Sequence, residues 1–306
     1  MIETFQQTLP HGITLSCRAA GERGRPVLLF LHGFPEAAFV WDALLAHFAK
    51  PEHGGYRCVA PNLRGYEQSS APSEVAAYRA KPLVQDLTAL IDVITQDSPT
   101  PGQLACLVAH DWGGALAWSV AAQHPAAMRR LGIVNAPHPA TFQRELANSP
   151  TQQASSAYMN FLARPDAPAL LAENDFARLW PFFTNMAADS GPMAWLDEAT
   201  KDRYREVWRQ GLHGPCAYYA ASPLRPPTAT DPGAVAVQLP RDRVTVKVPT
   251  LVVWGLGDTA LPEALLDGLD GFVPDLRIER VPGATHWIVH EQPQQLAALM
   301  GAFLSA

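Results

Sequence analysis

The stretch Ala109-His-Asp-Trp-Gly-Gly114 decides how this chain of 306 residues is interpreted. It follows the apolar run Leu104–Ala109, which is typical of a buried strand, and it leads into Gly113–Gln123, whose small and apolar residues indicate a helix. A strand that turns directly into a helix through small residues holds the middle side chain up at the edge of the sheet. Asp111 has that position, and the chain contains no Gly-x-Ser-x-Gly sequence.

An aspartate at this turn favours nucleophilic chemistry at a saturated carbon. A carboxylate with an ordinary pKa of ~3.9 is ionised at neutral pH without the help of a base. The positive end of the following helix favours that ionised form further. Attack by Asp111 would form an alkyl ester on the enzyme. The alternative for the local pattern alone is an N-cap aspartate in front of Gly113-Gly114.

Two later residues complete a catalytic triad in chain order. Asp258 follows the apolar run Leu251–Trp254, and His286 follows a strand that ends at Val281. Nucleophile, acid and histidine in this order are typical of the α/β-hydrolase triad. We expect Asp258 to orient His286, which would activate a water to hydrolyse the ester. Taken separately, the two residues are equally typical of a loop aspartate and a turn histidine.

The segment His32-Gly-Phe-Pro35 closes the first central strand and predicts an oxyanion hole. The N–H groups of Phe34 and Trp112 would point at the oxygen that becomes negative during ester hydrolysis. A turn that serves geometry only is compatible with the same segment. We expect His32 and Pro35 to contribute to substrate binding.

A metal site is the alternative use of His286, His290 and Glu291. The sequence lacks the His-Glu-x-x-His order and a third ligand nearby, so we expect no metal and no other cofactor.

The apolar runs along the chain predict a mostly parallel sheet of eight strands with flanking helices. The strand rhythm stops near Pro137, and about 100 residues rich in helix formers and aromatic side chains follow. We interpret this stretch as a helical cap inserted into an α/β core. The predicted division is a first core part at 1–137, a cap at 138–224 and a second core part at 225–306.

Composition limits the partners and the compartment. The formal net charge of −6 and the pI near 5.9 disfavour binding to nucleic acid. We find no run of 18 apolar residues and no signal-like N-terminus, and the four cysteines are widely spaced. We therefore expect a cytoplasmic protein without a membrane span, as a monomer or homodimer.

These residues resemble the α/β-hydrolase superfamily and, within it, the epoxide hydrolases with an aspartate nucleophile. The matching segments extend over essentially the whole chain: His32–Pro35, Leu63-Arg-Gly-Tyr66, His110–Gly114, Asp258 and His286-Trp287. The resemblance implies a fold with a cap, the triad above, and Trp287 among the substrate-binding residues. One segment departs from the usual pattern, because Asn62 stands where such enzymes often have Asp and Glu67 where they have Gly.

Two cap tyrosines are what the resemblance implies for ring opening, because opening an epoxide creates an alkoxide. A phenol with a pKa near 10 is a suitable protonated donor. Tyr158 resembles the first of these tyrosines and Tyr219 the second, while Tyr218 competes for the second role and is otherwise expected in substrate binding. The implied function is hydrolysis of a small apolar or amphipathic epoxide to a vicinal diol.

Haloalkane and haloacetate dehalogenases share the aspartate nucleophile and are the main alternative. Enzymes of the fluoroacetate type have Arg after the nucleophile, where this chain has Trp112, and a cap His-Trp pair, where it has Tyr158-Met159. Haloalkane dehalogenases do have Trp after the nucleophile, but many have Asn where this chain has Phe34. A ligand-binding protein without catalysis would not require an intact triad.

Overall fold

The computed structural model describes residues 1–186 and 193–306. The eight strands are β1 (Glu3–Thr8), β2 (Thr14–Ala20), β3 (Val27–Leu31), β4 (Arg57–Pro61), β5 (Cys106–His110), β6 (Leu131–Val134), β7 (Thr250–Gly255) and β8 (Leu276–Val281). The helices of the described ranges are α1 (Asp42–Phe48), α2 (Ala80–Ile94), α3 (Asp111–Gln123), α4 (Pro139–Asn148), α5 (Pro150–Ser155), α6 (Tyr158–Leu162), α7 (Ala167–Phe176), α8 (Trp180–Asn185), α9 (Glu198–Arg209), α10 (His213–Ala221), α11 (Arg241–Val244), α12 (Ile288–Glu291) and α13 (Pro293–Ser305).

The strands form one sheet in the order β1-β2-β4-β3-β5-β6-β7-β8. β1 and β2 are antiparallel to their neighbours, and the pairs from β4 through β3 to β8 are parallel. This arrangement confirms the predicted eight-stranded, mostly parallel sheet. The parallel strands end at the same edge, so residues that follow β5, β6, β7 and β8 lie close together.

Helices cover both faces of the sheet, and the side chains of β3 show why. Leu28 and Phe30 belong to one apolar cluster with residues of α1 and α13, whereas Leu29 and Leu31 belong to another with residues of α2 and α3. Because alternate side chains of a strand point to opposite faces, a strand buried on both faces must be apolar throughout. That is the reason why β3 is an unbroken apolar run.

The helices α4 to α10 all lie in the connection between β6 and β7. Despite this long insertion, β6 and β7 are direct neighbours in the sheet and pair in parallel, with Leu131 opposite Thr250. Within the described ranges, no helix has the length and apolar character that a membrane crossing requires. The residues of β1 are mostly polar and exposed and carry no apolar run, and the pairing with β2 holds this strand in place.

Candidate active site

Asp111 is the first residue of α3 and has a φ of +49°, so β5 turns into α3 through one residue in the left-handed region. Such a conformation is uncommon for residues other than glycine, although Asp and Asn adopt it more readily than most. Two glycines make room for the turn. A Cβ on Gly33 would clash with the Asp111 carboxylate, and a Cβ on Gly113 would lie 2.6 Å from the His32 carbonyl oxygen.

The three residues of the predicted triad meet at the edge of the sheet. His286 Nδ1 lies 2.7 Å from Asp258 Oδ2, and its Nε2 lies 3.7 Å from Asp111 Oδ2. The Asp258 side chain is fully buried, that of His286 is 3% exposed and that of Asp111 is 14% exposed. Only the carboxylate that would react therefore keeps appreciable access to solvent.

Asp258 is held by four donors and by no acceptor. Oδ2 accepts from His286 Nδ1 and from Asn135 Nδ2 at 2.8 Å, and Oδ1 accepts from the backbone N–H groups of Ala260 and Leu261, both at 2.9 Å. A carboxylate has room for about four such bonds, so the group is fully satisfied as an anion. His286, Asn135 and the backbone at Ala260 and Leu261 together fix the position of the carboxylate.

The charges around His286 favour its protonated form. Burial lowers the pKa of His286, but the charge and hydrogen bond of Asp258 and the charge of Asp111 outweigh it and raise that pKa to about 9. Opposite charges within a few ångströms have this effect on a buried imidazole. The imidazolium form of His286 is therefore favoured at neutral pH.

The two residues predicted for the oxyanion hole, Phe34 and Trp112, both lie next to Asp111. The N–H of Phe34 donates to Asp111 Oδ1 at 2.7 Å, so this donor already points at the carboxylate. Trp112 follows Asp111 in the first turn of α3, where backbone N–H groups have no partner within the helix.

A cavity of about 370 Å³ opens above Asp111, and both predicted tyrosines line it. The Tyr219 ring packs edge to face against Phe34 at 5.2 Å and against Trp112 at 5.1 Å, and it lies 6.1 Å from the Tyr158 ring. Burial, followed by the charges of Asp111 and Asp258, raises the pKa of Tyr158. Burial, Tyr158 and Asp111 likewise raise the pKa of Tyr219, so both hydroxyls remain protonated donors at neutral pH.

Tyr218 also borders the cavity, but its hydroxyl is engaged elsewhere. It donates to the backbone carbonyl of Arg64 at 3.0 Å, on the loop between β4 and α2. Gly214, on the same helix α10, touches Gly65 of that loop. Tyr218 thus anchors α10 to the core, next to Tyr219.

The other predicted substrate-binding residues lie outside the cavity lining. His32 Nδ1 donates to the Gly33 carbonyl and its Nε2 accepts from the Leu63 N–H. The Pro35 carbonyl accepts from the Trp208 indole at 2.7 Å. Trp287 is buried, with its ring 4.8 Å from the His286 ring. These three residues therefore contact the residues around the site and do not line the cavity.

A family model described as alpha/beta hydrolase fold matches residues 26–293. This chain belongs to the α/β hydrolase fold family. Epoxide hydrolase 3 of Xenopus tropicalis is 33% identical, over 96% of this chain and 75% of that protein. Epoxide hydrolase 4 of Mus musculus is 31% identical, over 96% of this chain and 77% of that protein.

A solved structure described under novel epoxide hydrolases from metagenomes of hot environments has a TM-score of 0.85 and 36% identity, over 99% of both chains. These similarities confirm the predicted superfamily, and with it the prediction that the chain is a hydrolase.

The α/β hydrolase core of this chain contains a buried polar cluster that sequence reasoning missed. Glu36, which is fully buried, accepts from His110 Nδ1 at 3.1 Å, from His290 Nε2 at 2.7 Å and from the Tyr204 hydroxyl at 3.1 Å. Burial opposes ionisation of Glu36, but the hydrogen bonds from His110 and His290 hold its pKa well below the usual range. His110 Nε2 also lies 2.9 Å from the backbone carbonyl oxygen of His286, so the cluster contacts the residue that carries the candidate base.

The imidazole of His290 therefore binds Glu36, and it does not form a shared ligand site with His286. Across residues 1–186 and 193–306, no group of three or more potential ligands is placed to hold a metal ion.

The two residues that depart from the family pattern, Asn62 and Glu67, contact each other. Asn62 Nδ2 donates to Glu67 Oε2, while Asn62 Oδ1 accepts from the N–H of Ala38 at 2.8 Å. Glu67 has a φ of +47°, a left-handed conformation that glycine would adopt without strain.

Proposed function

We propose that this protein is an epoxide hydrolase that opens its substrate through an alkyl ester on Asp111. The observation that carries the proposal is the cavity above Asp111, which Tyr158 and Tyr219 line together with that carboxylate. An epoxide needs both groups at once, because attack at carbon must be matched by a proton at the leaving oxygen. The names of the relatives support the same reaction.

The first step uses Asp111 as nucleophile and the tyrosines as acids. A carboxylate oxygen of Asp111 attacks the less hindered epoxide carbon, the carbon–oxygen bond of the ring breaks, and the oxygen takes a proton from Tyr158 or Tyr219. The product is an ester that retains every atom of the substrate. The inserted helices supply both tyrosines and, in this proposal, act as a cap over the carboxyl ends of the strands.

The second step uses His286 as base. Ester formation removes the charge of Asp111, which is one of the three charges that raise the pKa of His286, with those of Asp258 and Glu36. The pKa of His286 therefore falls, its proton passes to the tyrosinate left by ring opening, and the neutral imidazole can take a proton from water. The water oxygen attacks the ester carbonyl, and the N–H groups of Phe34 and Trp112 stabilise the oxyanion. The ester carbon–oxygen bond then breaks, the leaving alkoxide takes a proton from His286 to complete the diol, and the new carboxyl group of Asp111 returns a proton to His286.

The test is to stop the second step and weigh the intermediate. In His286→Gln, attack by Asp111 remains possible and water activation does not, so the ester should accumulate. Intact and peptide mass spectrometry after incubation with epoxides should show an adduct of the full substrate mass on the Asp111 peptide. The control is His286→Gln with Asp111→Asn, which keeps a residue suited to positive φ and should form no adduct.

The same experiment distinguishes the dehalogenases. A haloalkane or haloacetate adds its mass less hydrogen halide, because the halide leaves. Adducts from halides alone would assign a dehalogenase, and an adduct away from Asp111 would refute the nucleophile. If a broad panel of both substrate classes left the protein unmodified, the proposal would be wrong.

A further inference from the structure

We propose that the cavity is a long subsite, which accepts an elongated terminal epoxide with an apolar body and places an anionic far end beside Arg243. The inference rests on the proposed function and goes further, because it names a substrate class and the residues that would select it.

One wall of the cavity is formed by helix α3, and four of its lining residues follow one stripe of that helix. Asp111, Ala115, Ser119 and Ala122 all line it, at spacings of four, four and three residues. Residues at these spacings lie on the same face of an α-helix. The stripe carries small side chains beyond Asp111 and is only half-buried, so the cavity continues along the helix from the nucleophile.

The opposite walls are apolar. Leu83 of α2 lies on one side, and Leu224, Val237 and Leu239 of the segment between α10 and α11 lie on the other. The volume of about 370 Å³ is within the range of small-molecule sites. Of the described residues, neither Phe34 nor Phe182 contributes to the lining, although both pack against the tyrosines. The space therefore extends away from Asp111 along α3, which suits an epoxide at the end of a chain.

Formally charged side chains are sparse in the lining of this cavity. Among the described residues that line it, only Asp111 and Arg243 carry a formal charge. Arg243 lies on α11, which packs against α3, and its side chain is 79% exposed. Its Nε is 3.9 Å from a carboxylate oxygen of the equally exposed Asp242, a separation that leaves guanidinium donors free for a second anion.

The length of the subsite follows from the helix. Twelve residues separate Asp111 from Gln123, the last lining residue of α3, and at ~1.5 Å per residue they span about 18 Å. Carbon–carbon bonds of ~1.5 Å at angles near 111° advance about 1.25 Å each, so an extended chain of about 14 bonds covers this distance. We expect the best substrates to have about 10 to 14 carbons.

The experiment measures kcat/KM for terminal epoxides of 6, 8, 10, 12 and 14 carbons, each as the ω-carboxylate and as its methyl ester. A buried methylene contributes up to about four-fold in affinity, so the 12-carbon substrate should exceed the 6-carbon one by at least about ten-fold, mainly through KM. Exposed ion pairs are weak, so the carboxylate should be preferred over the ester by only about two- to five-fold at low salt.

Two variants assign these effects to the subsite. Arg243→Gln should abolish the preference for the carboxylate. The matched control Arg241→Gln should retain it, because Arg241 stacks on Phe272 and its guanidinium donates to the Gly271 carbonyl. Ser119→Phe fills the middle of the groove and should shift the optimum to shorter chains, with the loss on 12 carbons much larger than that on 6.

The outcomes are distinct. Hydrolysis of short neutral epoxides with no gain from chain length, or a carboxylate preference that survives Arg243→Gln, would refute the subsite and leave the proposed function intact. A chain-length optimum that Ser119→Phe does not shift would refute the placement along α3. No diol from any member of the series, or from styrene oxide, would refute the proposed function and the subsite with it.

Discussion

Asp258→Asn tests the proposed second step, because all four partners of the Asp258 carboxylate are donors. An amide has one acceptor oxygen and one NH₂ group. In one orientation the NH₂ faces His286 Nδ1–H and Asn135, and in the other it faces the N–H groups of Ala260 and Leu261. In either orientation, the NH₂ group of the asparagine therefore faces two other donors and loses two hydrogen bonds.

The size of the effect follows from the pKa of His286. Its rise from 6.5 to about 9, against the effect of burial, corresponds to about 3 kcal/mol in favour of the imidazolium. Asp258 supplies most of that stabilisation, and ester hydrolysis creates the same imidazolium. Loss of about 3 kcal/mol slows this step by roughly 100- to 300-fold. Alkylation of Asp111 does not require His286 as a base, so we expect it to change by less than ten-fold.

Rapid mixing followed by quench and mass spectrometry separates the two steps. Asp258→Asn should form the Asp111 ester at nearly the normal rate and then accumulate it, with kcat equal to the slow hydrolysis rate. Asp270→Asn, at an exposed position, is the control for loss of a negative charge and should behave like the unchanged protein. Turnover within ten-fold of normal without accumulated ester would refute the role given to Asp258.

Three further predictions follow from the same geometry. Tyr158→Phe and Tyr219→Phe should each slow alkylation, and the double variant should lose about 10²- to 10⁴-fold; near-normal epoxide turnover in the double variant would contradict the assignment. Asn135→Ala removes a donor to Asp258 and should lower the free energy of unfolding by about 1–3 kcal/mol. It should also reduce kcat more than it changes KM. Unchanged denaturation curves and an unchanged kcat would contradict this prediction. Burial lowers the pKa values of His32 and His138 to about 4, so the folded state binds fewer protons than the unfolded state below pH 6.5. The free energy of unfolding should therefore fall between pH 6.5 and 4, by up to about 3 kcal/mol per histidine; His138→Gln should flatten the slope in urea titrations, and the exposed control His124→Gln should not.

The turn at Asp111 and the positions of the buried strands were predictable from the sequence because both depend on local chemistry. Small residues around Asp111 permit the left-handed turn, and unbroken apolar runs identify strands buried on both faces. Parallel strands end at one edge, so residues after β5, β7 and β8 meet there whatever the length of the insertion. β1 escaped this reasoning because its polar residues carry no such pattern.

The choice between Tyr218 and Tyr219 required the tertiary structure. Neighbours on a helix point about 100° apart, and sequence does not indicate which of the two directions faces the nucleophile. The packing of α10 on the loop at Arg64 distinguishes the two side chains, because the Tyr218 hydroxyl donates to that loop while Tyr219 packs between Phe34 and Trp112.

The residues that hold the triad were decided by tertiary contact alone. Asn135 reaches Asp258 across 123 positions of the chain, and His290 reaches Glu36 across 254. A residue's own sequence neighbours record its backbone preference and its tendency to be buried. They do not record which distant donor arrives at its side chain, since the packing of the whole sheet determines that distance.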